Sequence, residues 1–171
     1  MEVFKVYVDS SKHQWLMPEI NEADLLDKTV FDGTIKNGWD ITSWYSLNPM
    51  YPQSNFYYAD SNGALIFDQA VYESDLFSML EMAGQILPIS VKGQPLYLLN
   101  VLEVVNCLNE KETNWDFYPN GNKGRILDYS IDQNKLHESS LFKIPETVKG
   151  EILTYTQVKE PIDEFKYLYE K

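Results

Sequence analysis

This chain has one cysteine and two histidines, and each scarcity removes a class of chemistry. A lone Cys107 cannot close an internal disulfide, which fits a reducing compartment. Cys107 has no C-x-x-C mate, and neither His13 nor His137 has a second ligand at zinc-like spacing, so no metal site is expected. No G-x-S-x-G is present, and Gly121-Asn122-Lys123-Gly124 lacks both the frame of a phosphate loop and a following helix, so it reads as a turn. No catalytic residue and no cofactor are therefore expected. Apolar runs are short. None approaches the roughly 20 residues that span a bilayer, and the start MEVFKVYVDSSK alternates where a signal peptide has a basic start and an unbroken apolar core. A cytoplasmic location with no membrane partner is expected. Basic residues are also few, 14 against 26 acidic ones, for a net charge of -12. Phosphates demand clusters of Lys and Arg, so nucleic acid is not an expected partner. Long-range attraction favours a basic protein, and the same charge serves solubility.

What is present is apolar mass. At 44% hydrophobic and 14% aromatic, 171 residues can build a proper core, and disorder is not expected. The reading is a single domain over 1–171, less regular over about 1–63 and more regular over about 64–171. Val3–Val8 alternates as a strand, and Asn21–Leu26 suits a helical turn. Between Phe31 and Gly63, breakers recur and leave short strands at Trp39–Trp44 and Phe56–Ala59. Ala64–Phe67 is a strand. Ser74 suits the N-cap of a helix over Asp75–Ala83, with Gly84 as its C-terminal stop. Gln85–Val91 and Leu96–Val101 form a hairpin, in which Pro88 calls for an edge or a bulge. Trp115–Tyr118, Ile126–Ile131, Ser140–Ile144 and Glu151–Tyr155 read as further strands, with a turn or short helix at Gln133–His137. Lys159–Lys171 reads as a helix, with Pro161 at its first position. Strands and helices alternate without a βαβα rhythm. The expected class is α+β, a mainly antiparallel sheet with a few helices packed on it.

Two surface chemistries stay open. Trp39, Trp44, Tyr45, Tyr51, Phe56, Tyr57 and Tyr58 make an aromatic-rich stretch. Such rings fill cores, stack on sugars or anchor protein interfaces. As interface anchors, the candidates are Trp44, Tyr45, Tyr51, Tyr57 and Tyr58. For carbohydrate chemistry, Asp116, Asp128, Asp132 and Glu138 offer carboxylates near Trp115, Tyr118 and Tyr129. A glycosidase needs two carboxyl groups about 5–10 Å apart, and a chain this acidic meets that distance by chance.

An ordered series of short motifs adds a family likeness. Ser74-Asp75-Leu76-Phe77-Ser78-Met79-Leu80 precedes the Ile86–Val91 strand. Tyr97-Leu98-Leu99-Asn100-Val101 follows, with Val105, Asn106, Cys107 and Leu108 behind it. Leu141-Phe142-Lys143-Ile144 and then Ile152–Tyr155 lead into Phe165–Tyr169. In this order, residues Val71–Leu168 resemble the bacterial immunity proteins of polymorphic toxin systems, a family first catalogued as a domain of unknown function. The chain departs from that pattern at Asn109, where the family often has an acidic residue. The resemblance implies a cytoplasmic protein that binds and blocks one cognate toxin, and it implies no catalytic residues.

Cys107 follows an apolar run and has no basic neighbour in sequence, so a buried, inert thiol is expected, shielded by Val104, Val105 and Leu108. A thiol reagent should therefore label the native protein far more slowly than the denatured protein. Equal rates would place the thiol at the surface.

Overall fold

A computed structural model of the chain describes residues 3–8, 10–21, 24, 25, 28–59, 63–136, 141–155, 168 and 169. The strands in chain order are β1 (Val3–Val8), β2 (Trp15–Pro18), β3 (Ser43–Ser46), β4 (Phe56–Ala59), β5 (Ala64–Phe67), β6 (Gly84–Val91), β7 (Gln94–Val101), β8 (Asn114–Phe117), β9 (Lys123–Asp128), β10 (Leu141–Phe142), β11 (Ile152–Tyr155) and β12 (Leu168–Tyr169). Two helices, α1 (Gln69–Tyr72) and α2 (Leu76–Ala83), lie between β5 and β6. The fold is α+β and sheet-dominated, as the sequence led us to expect.

The hairpin of β6 and β7 is the longest pairing, in unbroken register from Gly84↔Val101 to Val91↔Gln94. Lys92 and Gly93 join the strands with φ of 50° and 82°, the positive dihedrals that match a two-residue turn to strand twist. Alternation on β7 then serves two cores. Leu96 and Leu98 point one way, into a cluster with Leu16, Phe31, Trp44, Tyr57, Ile66, Leu87 and Ile89. Leu99 and Val101 point the other way, into a cluster with Leu65, Phe67, Leu76 and Leu80.

The first cluster fills a closed barrel with strand order β2-β3-β6-β7-β5-β4. Closure was not expected from sequence. It depends on two parallel contacts between distant segments, Trp15↔Tyr58 with Leu16↔Ala59, and Ser43↔Ser90 with Trp44↔Val91. Strands from both sides of Gly63 therefore build one barrel. Outside it, a second sheet of order β10-β11-β1-β12 is antiparallel throughout. Its Val6, Val8, Leu141 and Ile152 pack with α2 against the barrel. Its opposite face gives Phe142 and Leu153 to a third cluster with Val105, Cys107 and Leu108. Trp115 and Ile126 of the β8–β9 hairpin cover that cluster. No helix among the described residues is long and apolar enough to cross a membrane.

Several local expectations are corrected. The strand placed at Trp39–Trp44 begins only at Ser43, because Trp39 lies across the barrel wall and donates its indole N–H to the Pro88 carbonyl at 3.1 Å. That contact also answers for Pro88. No bulge forms there, since β3 pairs with β6 only further on, at Ser90 and Val91. Ser74 does not cap α2; its hydroxyl donates to the Val71 carbonyl at 2.7 Å, closing α1 instead. The helix expected over Lys159–Lys171 does not extend over Leu168 and Tyr169, which pair with Val8 and Tyr7 as β12. Residues 156–167, 170 and 171 lie outside the described residues, as do the Ser140 end of the expected Ser140–Ile144 strand and His137 of the expected turn.

Gly84 ends α2 and begins β6 with no loop between. Its φ of 174° is extended backbone open to any residue. The requirement for glycine is spatial, because a Cβ there would overlap the Asn100 carbonyl of the paired strand. Backbone cannot yield as a side chain tip can. Gly84→Ala should therefore cost at least ~2 kcal/mol, read as a lowered urea midpoint at unchanged slope. A neutral effect would mean that the two strands can separate locally.

Candidate functional site

One mouth of the barrel carries the loop 47–55, which leads from β3 to β4. Asn48 ties it to the chain entering β2. Its side-chain oxygen accepts from the Trp15 N–H at 2.7 Å, and its Nδ2 donates to the His13 carbonyl at 3.2 Å. Gln14 makes a second tie, with Nε2 donating to the Tyr51 carbonyl at 3.0 Å and its backbone N–H to that of Pro52 at 3.2 Å. Leu47 donates to the Trp15 carbonyl at 2.9 Å, and Tyr51 to that of Asn48 at 2.9 Å. Pro49 and Pro52 fix two more backbone dihedrals. The loop is irregular yet fully tied down.

What this loop and the end of β3 present is apolar. Met50 is 93% exposed, Leu47 and Tyr51 are each 43% exposed, and Tyr45 is 38% exposed. Scattered apolar side chains on a surface are ordinary, but four within Tyr45–Tyr51, on a segment held by these hydrogen bonds, make it a candidate interaction site. Ordering such a loop before contact also lowers the entropic cost of binding.

The structure divides the five anchor candidates. Trp44 and Tyr57 are buried in the barrel core and cannot serve as surface anchors. Strand alternation explains Trp44. It faces inward, with its indole N–H donating to the Ile41 carbonyl at 3.0 Å, while the next residue, Tyr45, faces outward. Tyr45 and Tyr51 remain as exposed rings, and the side chain of Tyr58 lies outside the described residues. Leu47 and Met50 are not among the sequence candidates, all of which are aromatic. For Met50 a signal was available, since an apolar residue between Pro49 and Pro52 has no regular element in which to bury itself.

The carboxylates considered for sugar chemistry are engaged locally. Asp116 lies 3.7 Å from Arg125, and Asp128 accepts from the Asn114 amide at 3.1 Å. Asp132 accepts from the Asn134 N–H at 3.2 Å, capping a 3-10 turn at Gln133–Lys135. Glu138 lies outside the described residues. The β8–β9 hairpin exposes Phe117, Tyr118 and Leu127. Beside it, Lys123 bonds Glu110 at 2.6 Å and sits 4.5 Å above the Trp115 ring. The turn at its tip spans Tyr118–Gly121, closed by the Gly121 N–H donating to the Tyr118 carbonyl at 2.9 Å, and Lys123 and Gly124, read from sequence as part of a turn, already belong to β9. Among the described residues no group of His, Cys, Asp and Glu is arranged to hold a metal ion.

Cys107 is fully buried in the third cluster beside Val105 and Leu108, whereas Val104 is partly exposed. Burial pushes its thiol up to about 11, the state of an inert sulfur. Lys143 was not singled out in sequence, although a lysine inside Leu141–Ile144 breaks an apolar run. Its side chain is wholly buried, and its amine donates to the Phe31 carbonyl. Gly63 leaves the room for this contact, since a Cβ there would meet both groups. Burial pulls the amine down to about 8, opposed by the nearby charge of Asp32.

The sign of the consequence is definite. The unfolded chain holds the Lys143 proton up to its ordinary value of 10.5, and the folded chain releases it near 8. Between those values the unfolded state binds more protons, so stability rises with pH, and the penalty is complete below about 8. Lys143→Met removes this dependence. From pH 7 to pH 10.5 wild type should gain up to ~3 kcal/mol relative to the methionine variant in denaturant titrations. A gap that stays constant with pH would show that the amine is not desolvated.

No protein-family model matches this chain, and no curated protein matches it.

Proposed function

We propose that this chain is an immunity protein that binds one cognate bacterial toxin and neutralises it by occlusion, without catalysis. The observation that carries the reading is the tied-down loop at the barrel mouth, which presents Leu47, Met50 and Tyr51 to solvent beside Tyr45. Its rigidity comes from hydrogen bonds made by Asn48 and Gln14, so the apolar residues are free for contact. The likeness of residues Val71–Leu168 to polymorphic-toxin immunity proteins supports the same reading. Charge supports it as well, because a net charge of -12 attracts a basic toxin, and toxins that grip phosphates are basic. A protein that occludes needs no resident cofactor and works where it is made, in the cytoplasm. Carbohydrate binding, the other reading, loses Trp44 and Tyr57 as stacking platforms.

The test is co-expression with a toxin drawn from the genes that neighbour this one. The cell should be protected, and the two proteins should co-purify. Met50→Ala and Tyr51→Ala should each raise the dissociation rate, by roughly thirtyfold for a hot-spot loss of about 2 kcal/mol, with folding unchanged. Added salt should slow association more than it speeds dissociation. Full protection by a Met50→Ala/Tyr51→Ala double variant with unaltered kinetics would move the contact face elsewhere, and no protection by wild type would end the immunity reading.

A further inference from the structure

Where loop 47–55 meets β4, the barrel mouth holds a polar recess of about 200 Å3 lined by Gln53, Ser54, Asn55, Tyr57, Asp68 and Gln94. Asp68 is the one charged residue among them. Its carboxylate is held in place from two sides. Oδ2 accepts from the Asn55 amide at 2.9 Å, and Oδ1 accepts from the Val71 N–H at 3.1 Å. Each carboxylate oxygen can take a second hydrogen bond, so fixing the group does not exhaust it. Gln53 Nε2 donates to the side-chain amide oxygen of Gln94 at 3.3 Å, which leaves the Gln53 amide oxygen as a further acceptor. Tyr57 adds a hydroxyl from a ring buried in the barrel core. Burial, and then the negative charge of Asp68, hold that hydroxyl's pKa above its ordinary value.

We infer that this recess receives a lysine or arginine side chain of the protein partner, seated against Asp68. The inference rests on the reading of the barrel mouth as the partner-binding face. An anion would meet the Asp68 charge with no compensating cation in the lining. An apolar group would strand a carboxylate, amides and hydroxyls without water. A cation satisfies both demands, because an ammonium or guanidinium brings only donors to a site that offers acceptors around one negative charge. The loop that carries Gln53 also presents Met50 and Tyr51, an apolar flank on which the aliphatic stem of such a side chain packs. Because Asp68 is already oriented, little ordering is left for the moment of contact.

The probe is a pair of short peptides, acetyl-Gly-Arg-Gly-amide and its citrulline counterpart, which keeps the shape and loses the charge. Each is titrated into the isotopically labelled full chain, and the side-chain amide signals of Gln53, Asn55 and Gln94 are followed by NMR. The arginine peptide should shift these signals saturably, and the citrulline peptide should bind at least tenfold more weakly. Asp68→Asn should abolish the difference between the two peptides. That variant keeps an oxygen for the cap to the Val71 N–H, as asparagine caps about as well as aspartate, and gives up the bond from Asn55, so unchanged backbone amide signals establish its fold before the titration. Equal binding of both peptides, an unchanged preference in Asp68→Asn, or shifts that spare these amides would overturn the inference. No toxin enters the titration, so its failure leaves the loop-centred reading standing, and failure of that reading shows in the co-expression assay.

Discussion

Strand β7 is packed on both faces, and that single requirement organises most of the molecule. Leu96 and Leu98 belong to the barrel interior, while Leu99 and Val101 belong to the layer beneath the helix and second sheet. A one-residue slip would exchange the two sets and drive Tyr97 into the barrel, so register is strongly specified. Neighbouring strands obey the same rule. On β5, Ile66 faces inward while Leu65 and Phe67 face outward, and on β6, Leu87 and Ile89 face inward while Ile86 faces outward. The direct passage from α2 into β6 at Gly84 couples the helix to this register. Sliding the strand would drag the helix with it.

The two mouths of the barrel are closed by different chemistry. At one, Asn100 on β7 faces Gln85 on β6, and both reach the segment that covers the opening. Asn100 donates to the Thr34 carbonyl at 2.8 Å, while Gln85 accepts from the Lys36 N–H and donates to the Lys36 carbonyl, each at 2.9 Å. This amide latch pins the chain beside Phe31, whose ring lies inside the barrel and whose carbonyl takes the buried Lys143 amine. Lys143 thus joins the barrel to the layer behind it, at the cost of holding an amine away from water. Among the described residues the other mouth has no such plug. It is spanned by loop 47–55, whose Asn48 holds the loop to the chain entering β2 and whose Leu47, Met50 and Tyr51 face outward.

Much of this was legible in the sequence wherever the pattern was local. Val3–Val8, Phe56–Ala59, Ala64–Phe67 and the β6–β7 hairpin follow from alternation and turn residues alone. The class, α+β and mainly antiparallel, follows from their order. Closure into a barrel was not legible, because β2 meets β4, and β3 meets β6, across long stretches of chain with no periodic signal. Ser74 and Gly84 were read by residue type as cap and stop. Their roles were set by contacts instead, with the Val71 carbonyl in one case and the Asn100 carbonyl in the other. At the candidate site, composition marked an aromatic stretch but could not sort its inward rings from its outward ones. Only the parity of β3 separates inward Trp44 from outward Tyr45, and parity depends on where the strand begins.

In loop 47–55, the residues that hold the shape are not the residues that shape presents. Asn48, Gln14, Pro49 and Pro52 fix the backbone, largely through main-chain partners that any sequence supplies. Leu47, Met50 and Tyr51 touch the solvent and take no side-chain part in those ties. Frame and payload are therefore separable. The outward side chains can change repeatedly while the frame, and the barrel behind it, stay as they are.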